Sequence, residues 1–219
     1  PIESKPAKQA SCLRRCSCSC CHLCFRCFTK SSRRSRLVSL FVLSQIGFGI
    51  FGFVKSHLQR PHMPTPYYWA KTGGAILNWD CTIILLPVAK NFLSWIRTTP
   101  VSEVIPLDDN ILFHKIVAFG IFTSGILHIF CHYSNFSKLA DLEFGGMNRM
   151  SAILQQAFLT WHGFSGHVIL VFMIPMFITS QDKCRQGRCK VLSKRRCGYN
   201  TFWKTHKLWV YVMIFLLTH

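Results

Sequence analysis

Residues 37–54 read LVSLFVLSQIGFGIFGFV, a run without a single charge. A helix that crosses a ~30 Å hydrocarbon layer needs about 20 mainly apolar residues, so this stretch alone points to a membrane span. Working outward from it, four more apolar runs follow. One covers about Gly73–Trp95, GGAILNWDCTIILLPVAKNFLSW, and carries Asp80 and Lys90. The next covers about Phe113–Phe130. The fourth, about Phe164–Thr179, is short and contains Pro175. The last opens near Phe202 and is still apolar at His219. The expected fold is an all-α transmembrane helix bundle with five helices, the fifth incomplete. A cleaved signal peptide is not expected, because the first apolar run lies beyond residue 36 and exceeds the usual length of such a segment.

Composition narrows the class. The 219 residues are 50% hydrophobic and 16% charged, against ~25% charged in typical soluble domains. With 19 Phe and 6 Trp, intrinsic disorder is excluded. The apolar runs exclude a small secreted disulfide domain despite 12 Cys. The net charge of +18 suggests nucleic acid at first sight, but the basic residues gather at the ends of the apolar runs. With the N-terminus in the cytosol, residues 1–36, 90–115 and 182–207 hold 21 of the 26 Lys and Arg. The outer loops hold Lys55, Arg60, Lys71, Lys138 and Arg149. The positive-inside rule selects this orientation. The charge then faces anionic lipid headgroups of the bilayer, and nucleic acid is not the expected partner.

Histidines inside apolar helices are costly and mark candidate sites. The third segment holds His114 and His128, fourteen residues apart; the fifth holds His206 and His219, thirteen apart. Both segments run in the same direction in this topology, so His114 shares a depth with His206, and His128 with His219. Fourteen residues rise ~21 Å, which suits two stacked haems, each held by one histidine from either helix. Neutral imidazole ligates both ferrous and ferric iron, and six-coordination leaves no open position, which favours electron transfer. Rotational phase is less regular. Fourteen steps place His128 ~40° from His114, whereas thirteen place His219 ~140° from His206. Either the fifth helix is locally distorted or the haems are approached from different sides. His22, His57, His62, His162 and His167 are expected to be interfacial or hydrogen-bonded. An intramembrane proton or metal relay is the competing reading, and it would more naturally set carboxylates beside the histidines. Asp80 is the acidic residue well inside an apolar run.

The stretches LNWDCTIILLPVAKNFLSWIR, PLDDNILFHKIVAF, ILHIFCH and FWKTH followed by His219 resemble the ferric-reductase-like haem domain of NADPH oxidases, most closely the calcium-regulated branch. The likeness runs from about Leu37 to His219, after a cytosolic tail of residues 1–36. It implies two b-type haems, the inner held by His114 and His206 and the outer by His128 and His219. Electrons would pass from cytosolic NADPH through FAD and the two haems to oxygen outside, giving superoxide, in a multi-pass protein of the plasma membrane. The resemblance also places Lys71 and His132 at the oxygen pocket. A prepositioned cation there stabilises developing superoxide charge. Arg is usual where this chain has Lys71, Asn where it has Asp80, and Pro where it has His162. Some relatives place an aromatic residue midway between the fifth-helix histidines, where this chain has Val212 and Met213 beside Tyr211.

The chain starts at Pro1 and stops within an apolar run, and is read as part of something longer. It holds no sixth helix, flavin barrel, dinucleotide glycine motif or calcium-binding loop pattern, so it could carry haem but not oxidise NADPH alone. The alternatives are a transmembrane ferric reductase and a truncated non-catalytic membrane subunit or transport protein. Seven Cys between Cys12 and Cys27 interleave with basic residues before the first span. S-palmitoylation ranks first for them, free thiols second and zinc third. Cys184, Cys189 and Cys197 are expected to be reduced.

Overall fold

The computed structural model describes residues 19–105, 107–143, 148–187 and 198–219. Every element among them is helical: α1 Ser19–Gln59, α2 Thr65–Ile83, α3 Lys90–Arg97, α4 Val101–Val104, α5 Asn110–Glu143, α6 Arg149–Leu154, α7 Trp161–Ser180, α8 Asp182–Arg185, α9 Tyr199–His206 and α10 Trp209–Thr218. Tight 3-10 turns occupy Leu86–Val88 and Leu107–Asp109, and a wide π turn at Gln155–Leu159 lies between α6 and α7. Residues 34–59, 107–140 and 161–180 are each long and apolar enough to cross a membrane. Residues 65–88 and 90–97 meet that test as a pair bent by 73°. Among the described residues the count is therefore three spans, or four with the bent pair. Leu40, Leu43 and Ile50 on α1 are each more than half exposed, a surface that suits lipid rather than water.

Two of the expected segments differ from a straight helix. The second starts earlier, at Thr65, and breaks after Ile83. Pro87 supplies no backbone N–H and its ring opposes the preceding turn, so the chain tightens at 86–88 and departs as α3 in a new direction. The fifth divides into α9 and α10 at Lys207–Leu208. The N-terminal tail also departs from a separate element: the backbone of residues 19–36 is helical and continuous with the first span. The Cys12–Cys27 cluster lies outside the described side chains, as do Cys189 and Cys197. Cys184 is buried and not in a disulfide.

Contacts divide the chain into residues 1–132 and 133–219, with the boundary inside α5. In the first unit α1 and α2 pack side by side. Phe48 stacks on Trp79 at 4.6 Å, and Trp79 Nε1 donates to Ser44 Oγ at 2.9 Å. One residue further along each helix, Gln45 Nε2 donates to Asp80 Oδ1 at 2.6 Å. The start of α5 is tied to α1 by a two-pronged ion pair. Arg34 Nε and Nη2 donate to the two carboxylate oxygens of Asp109 at 3.1 and 2.8 Å. Phe41 meets Phe113 edge-on at 5.8 Å.

In the second unit α7 is the frame for α9 and α10. Trp161 Nε1 at its start donates to the Thr218 carbonyl at 2.7 Å. Near its end Thr179 Oγ1 and Thr205 Oγ1 are 2.6 Å apart. Between these ties Phe172 stacks on Tyr211 at 5.5 Å and lies 6.4 Å from Phe215. Each of the two helical pieces is too short to be stable alone in water, so their helicity rests on this packing and on their apolar surroundings.

Candidate functional site

The histidines of α5 are held by the backbone at the two ends of α2. His114 Nδ1 is 2.9 Å from the Ile84 carbonyl, and His128 Nδ1 is 2.8 Å from the Ala70 carbonyl. A carbonyl only accepts, so in each ring Nδ1 carries the proton and donates. The neutral ring then has its lone pair at Nε2. His219 is also held through Nδ1, by a side chain. Ser165 Oγ donates to the Trp161 carbonyl at 2.7 Å and is 2.9 Å from His219 Nδ1. Either Ser165 Oγ or His219 Nδ1 can donate in this contact, according to the imidazole tautomer. Two of the four histidines singled out in the sequence, His114 and His128, thus have Nδ1 fixed as a donor and the lone pair at Nε2, the arrangement by which proteins orient a metal-ligating imidazole, and His219 Nδ1 is tied to a hydroxyl. The fourth, His206, lies at the end of α9 with its ring 4.8 Å from that of Phe202.

Glycines let these rings in. A Cβ at Gly73 would lie 3.1 Å from the backbone N and Cβ of His128, and one at Gly74 would lie 3.2 Å from His128 Cε1. On the other unit a Cβ at Gly166 would lie 3.2 Å from His219 Cε1. Side chains at these positions would occupy the space the imidazoles use. Among the described residues no three His, Cys, Asp or Glu side chains gather as a protein-only metal site requires. A haem asks for one histidine on each face, and single imidazoles of this tautomer fit that demand.

The structure brings Lys71, His128 and His132 to one end of the first unit. The His128 and His132 rings are 4.5 Å apart and edge-on. Lys71 follows the residue whose carbonyl holds His128, and its Nζ sits 5.6 Å from the centre of the Tyr67 ring. His206 and His219 belong to the second unit.

The awkward thirteen-residue spacing has a structural counterpart. At the junction of α9 and α10, Leu208 N donates to Thr205 O at 3.0 Å and Val210 N to Lys207 O at 3.4 Å. These are three-residue rather than four-residue bonds. Such a turn winds ~120° per residue instead of ~100°, so the two tightened residues Lys207 and Leu208 recover ~40° of the ~140° offset. Of the two alternatives left by the sequence, local distortion of the fifth helix is present.

Ser165, the paired glycines and Phe172 are absent from the sequence reading. Ser165 and Gly166 sit in the stretch HGFSG, where small residues in an apolar helix signal close approach of a neighbour. Phe172 offers an aromatic face beside Tyr211, at the level where Val212 and Met213 stand on the fifth segment. His167, expected to be hydrogen-bonded, donates from Nδ1 to the Gly163 carbonyl at 2.7 Å and accepts from Tyr133 Oη at 2.8 Å. His57 packs against Phe53 and Tyr68.

The family described as ferric reductase like transmembrane component matches residues 75–217. The chain belongs to this family. Within it, the ferric-reductase-like chain is similar to respiratory burst oxidase homolog protein B of Arabidopsis thaliana, 32% identical over 163 residues. That match covers 68% of this chain and 19% of the relative. It is similar also to a superoxide-generating NADPH oxidase heavy chain of Dictyostelium discoideum, 30% identical over 193 residues, with 84% of this chain and 35% of the relative covered. NADPH oxidase 3 of Rattus norvegicus is 30% identical over 178 residues, covering 69% and 30%. The chain spans about a fifth to a third of the length of these relatives.

Proposed function

We propose that this ferric-reductase-like chain is the electron-carrying membrane part of a superoxide-producing NADPH oxidase. Two b-type haems are held by His114 with His206 and by His128 with His219. Haem in such a site supplies a one-electron carrier whose iron has no open position. The observation that carries the reading is that Nδ1 of His114, His128 and His219 each meets a hydrogen-bond partner outside its own helix, a backbone carbonyl for the first two and the Ser165 hydroxyl for the third. Names of the relatives favour oxygen over ferric chelates as the acceptor.

In this reading the N-terminus is cytosolic and the His128 end faces outward. NADPH and FAD are bound by other parts of the protein on the cytosolic side. Lys71 and His132 lie at the outer end and serve oxygen: the ammonium of Lys71 stabilises the negative charge that develops as oxygen takes an electron. Ala70 and Ile84 keep His128 and His114 in one tautomer and Ser165 holds His219 in place, so little reorganises when an electron arrives. The aromatic group Phe172, Tyr211 and Phe215 lies between the levels of His206 and His219 on the second unit.

The deciding experiment is a reduced-minus-oxidised optical spectrum of the purified chain with haem quantified per protein. Two low-spin b-type haems per chain are expected. His128→Ala and His219→Ala should each remove the same single haem, and His114→Ala and His206→Ala the other. A folded protein that binds no haem refutes the reading, and equal loss of both haems on any one change refutes the pairing.

A further inference from the structure

Asp80 is fully buried in the middle of the first unit, where three helices meet. Gln45 Nε2 from α1 donates to Oδ1 at 2.6 Å. The other oxygen, Oδ2, has no hydrogen-bond partner among the described residues. It faces Gly120 of α5 so closely that a Cβ there would lie 2.9 Å from it, with the Phe41 ring 3.1 Å from the same point. Of the groups packed around the carboxyl, Gln45 and Phe41 from α1 and Gly120 from α5 do not ionise. Cys81, its neighbour on α2, is a titratable group that the Asp80 charge reaches. Among the described residues no lysine or arginine is paired with Asp80, so no cation of theirs fixes its charge.

Its position relative to the histidines gives that carboxyl a use. Gly120 follows His114 by six residues and precedes His128 by eight, about 9 and 12 Å along the helix axis. Asp80 therefore lies between the two histidine levels, in a region of low dielectric where charges interact over such distances. A ferric bis-histidine haem core carries one positive charge, and the ferrous core carries none. A carboxylate beside the ferric core is compensated; beside the ferrous core the same buried charge is not, and the neutral acid is favoured.

We propose that Asp80 is a redox-linked proton site between the two haem levels, which takes up a proton when the neighbouring iron is reduced and releases it on reoxidation. The balance is one electron from a one-electron donor of the reduced-flavin class to ferric iron and one proton from water to the Asp80 carboxylate, giving ferrous iron and the acid; reoxidation returns both. Gln45 serves either state, donating its amide hydrogen to Oδ1 throughout. The Oδ2 atom, which makes no other hydrogen bond among the described residues, is where the proton resides. This inference rests on the haem reading above.

The test is a potentiometric titration of the haem-loaded chain at a series of pH values, with a chemical reductant, for wild type and Asp80→Asn. By linkage the ferrous-to-ferric ratio of one haem at a fixed ambient potential should fall by up to about tenfold per unit rise of pH in the wild type. In Asp80→Asn that dependence should be lost while both haems remain. Redox-difference infrared spectroscopy of the wild type gives a second readout that needs no variant. A carboxylic-acid C=O band, shifted by deuterium exchange, should appear on reduction. An unchanged pH dependence in Asp80→Asn, which would place the proton on a haem propionate or elsewhere, overturns the proposal. So does the absence of any carboxylic-acid band in the wild type. Haems that bind and titrate without pH dependence overturn this proposal alone; a folded chain without haem overturns the function reading as well.

Discussion

Ser165→Ala removes one oxygen atom and with it the hydrogen-bond partner of His219 Nδ1. Ser165 is fully buried, so water does not reach the site to replace that oxygen. The Trp161 carbonyl, which also receives the Ser165 hydroxyl, keeps its place in the helical ladder of α7, so the loss falls on His219. Removing one partner of a buried hydrogen bond costs about 1–3 kcal/mol. At ~1.4 kcal/mol per factor of ten, that corresponds to about 5- to 150-fold in the affinity of the haem assigned to His219 in the proposed reading. Loss of an outer-shell partner of a metal-bound histidine typically costs about 10–100-fold, the same range. The assay is haem transfer from the purified chain to an excess of a haem-accepting protein, followed optically. One of two kinetic phases should accelerate in Ser165→Ala, the other should hold, and Ser165→Thr, which keeps the hydroxyl, should behave like wild type. Equal acceleration of both phases, or an alanine variant indistinguishable from the threonine variant, would refute the argument that this hydroxyl orients His219.

Gly73→Ala sets a methyl against the backbone of His128; overpacking of about 1–3 kcal/mol outweighs the ~1 kcal/mol gained in helix propensity, and thermal unfolding should move down. Its haem deficit should fall on the same haem that His128→Ala removes. Lys71→Met takes away the cation beside the His128 end, and stopped-flow reoxidation of the chemically reduced chain by oxygen should slow about tenfold or more at unchanged haem content. Pro87→Ala restores a backbone donor at the break after α2, so the bend should relax and the haem that the proposed reading assigns to His114 should shift its midpoint potential while the other does not. Measured potentials that move together, or not at all, count against that coupling.

Much of the fold was legible because lipid makes strong demands. Each long apolar run had to be a helix, since backbone groups without water must pair within the segment. The histidines stood out because ionisable groups are rare at such depth. What a hydropathy reading misses is the local irregularity. The run Gly73–Trp95 has the composition of one span, and the effect of Pro87 on its direction depends on which carbonyl loses its donor. The thirteen-residue interval in the fifth segment was visible as a discrepancy, but the tightened turn at Lys207–Leu208 that reduces it is a hydrogen-bonding detail with no residue signature.

These irregularities are where the site is made. In an unbroken helix the Ile84 carbonyl would receive Val88 N. Here Val88 N turns to Leu85 O at 3.2 Å, because the chain tightens around Pro87. That leaves the Ile84 carbonyl aimed out of the ladder, and His114 Nδ1 takes it at 2.9 Å. At the other end α2 is regular, and Ala70 is reached by a different route. Gly73 and Gly74 carry no side chains to cover its carbonyl, so His128 approaches within 2.8 Å. One histidine is thus held by breaking a helix and the other by thinning it. Both devices solve the same problem: a helix consumes its own carbonyls, and orienting an imidazole on backbone alone requires one to be released or uncovered. His219 has neither device on α7, where the ladder is intact beside it, and there the partner is a serine hydroxyl instead.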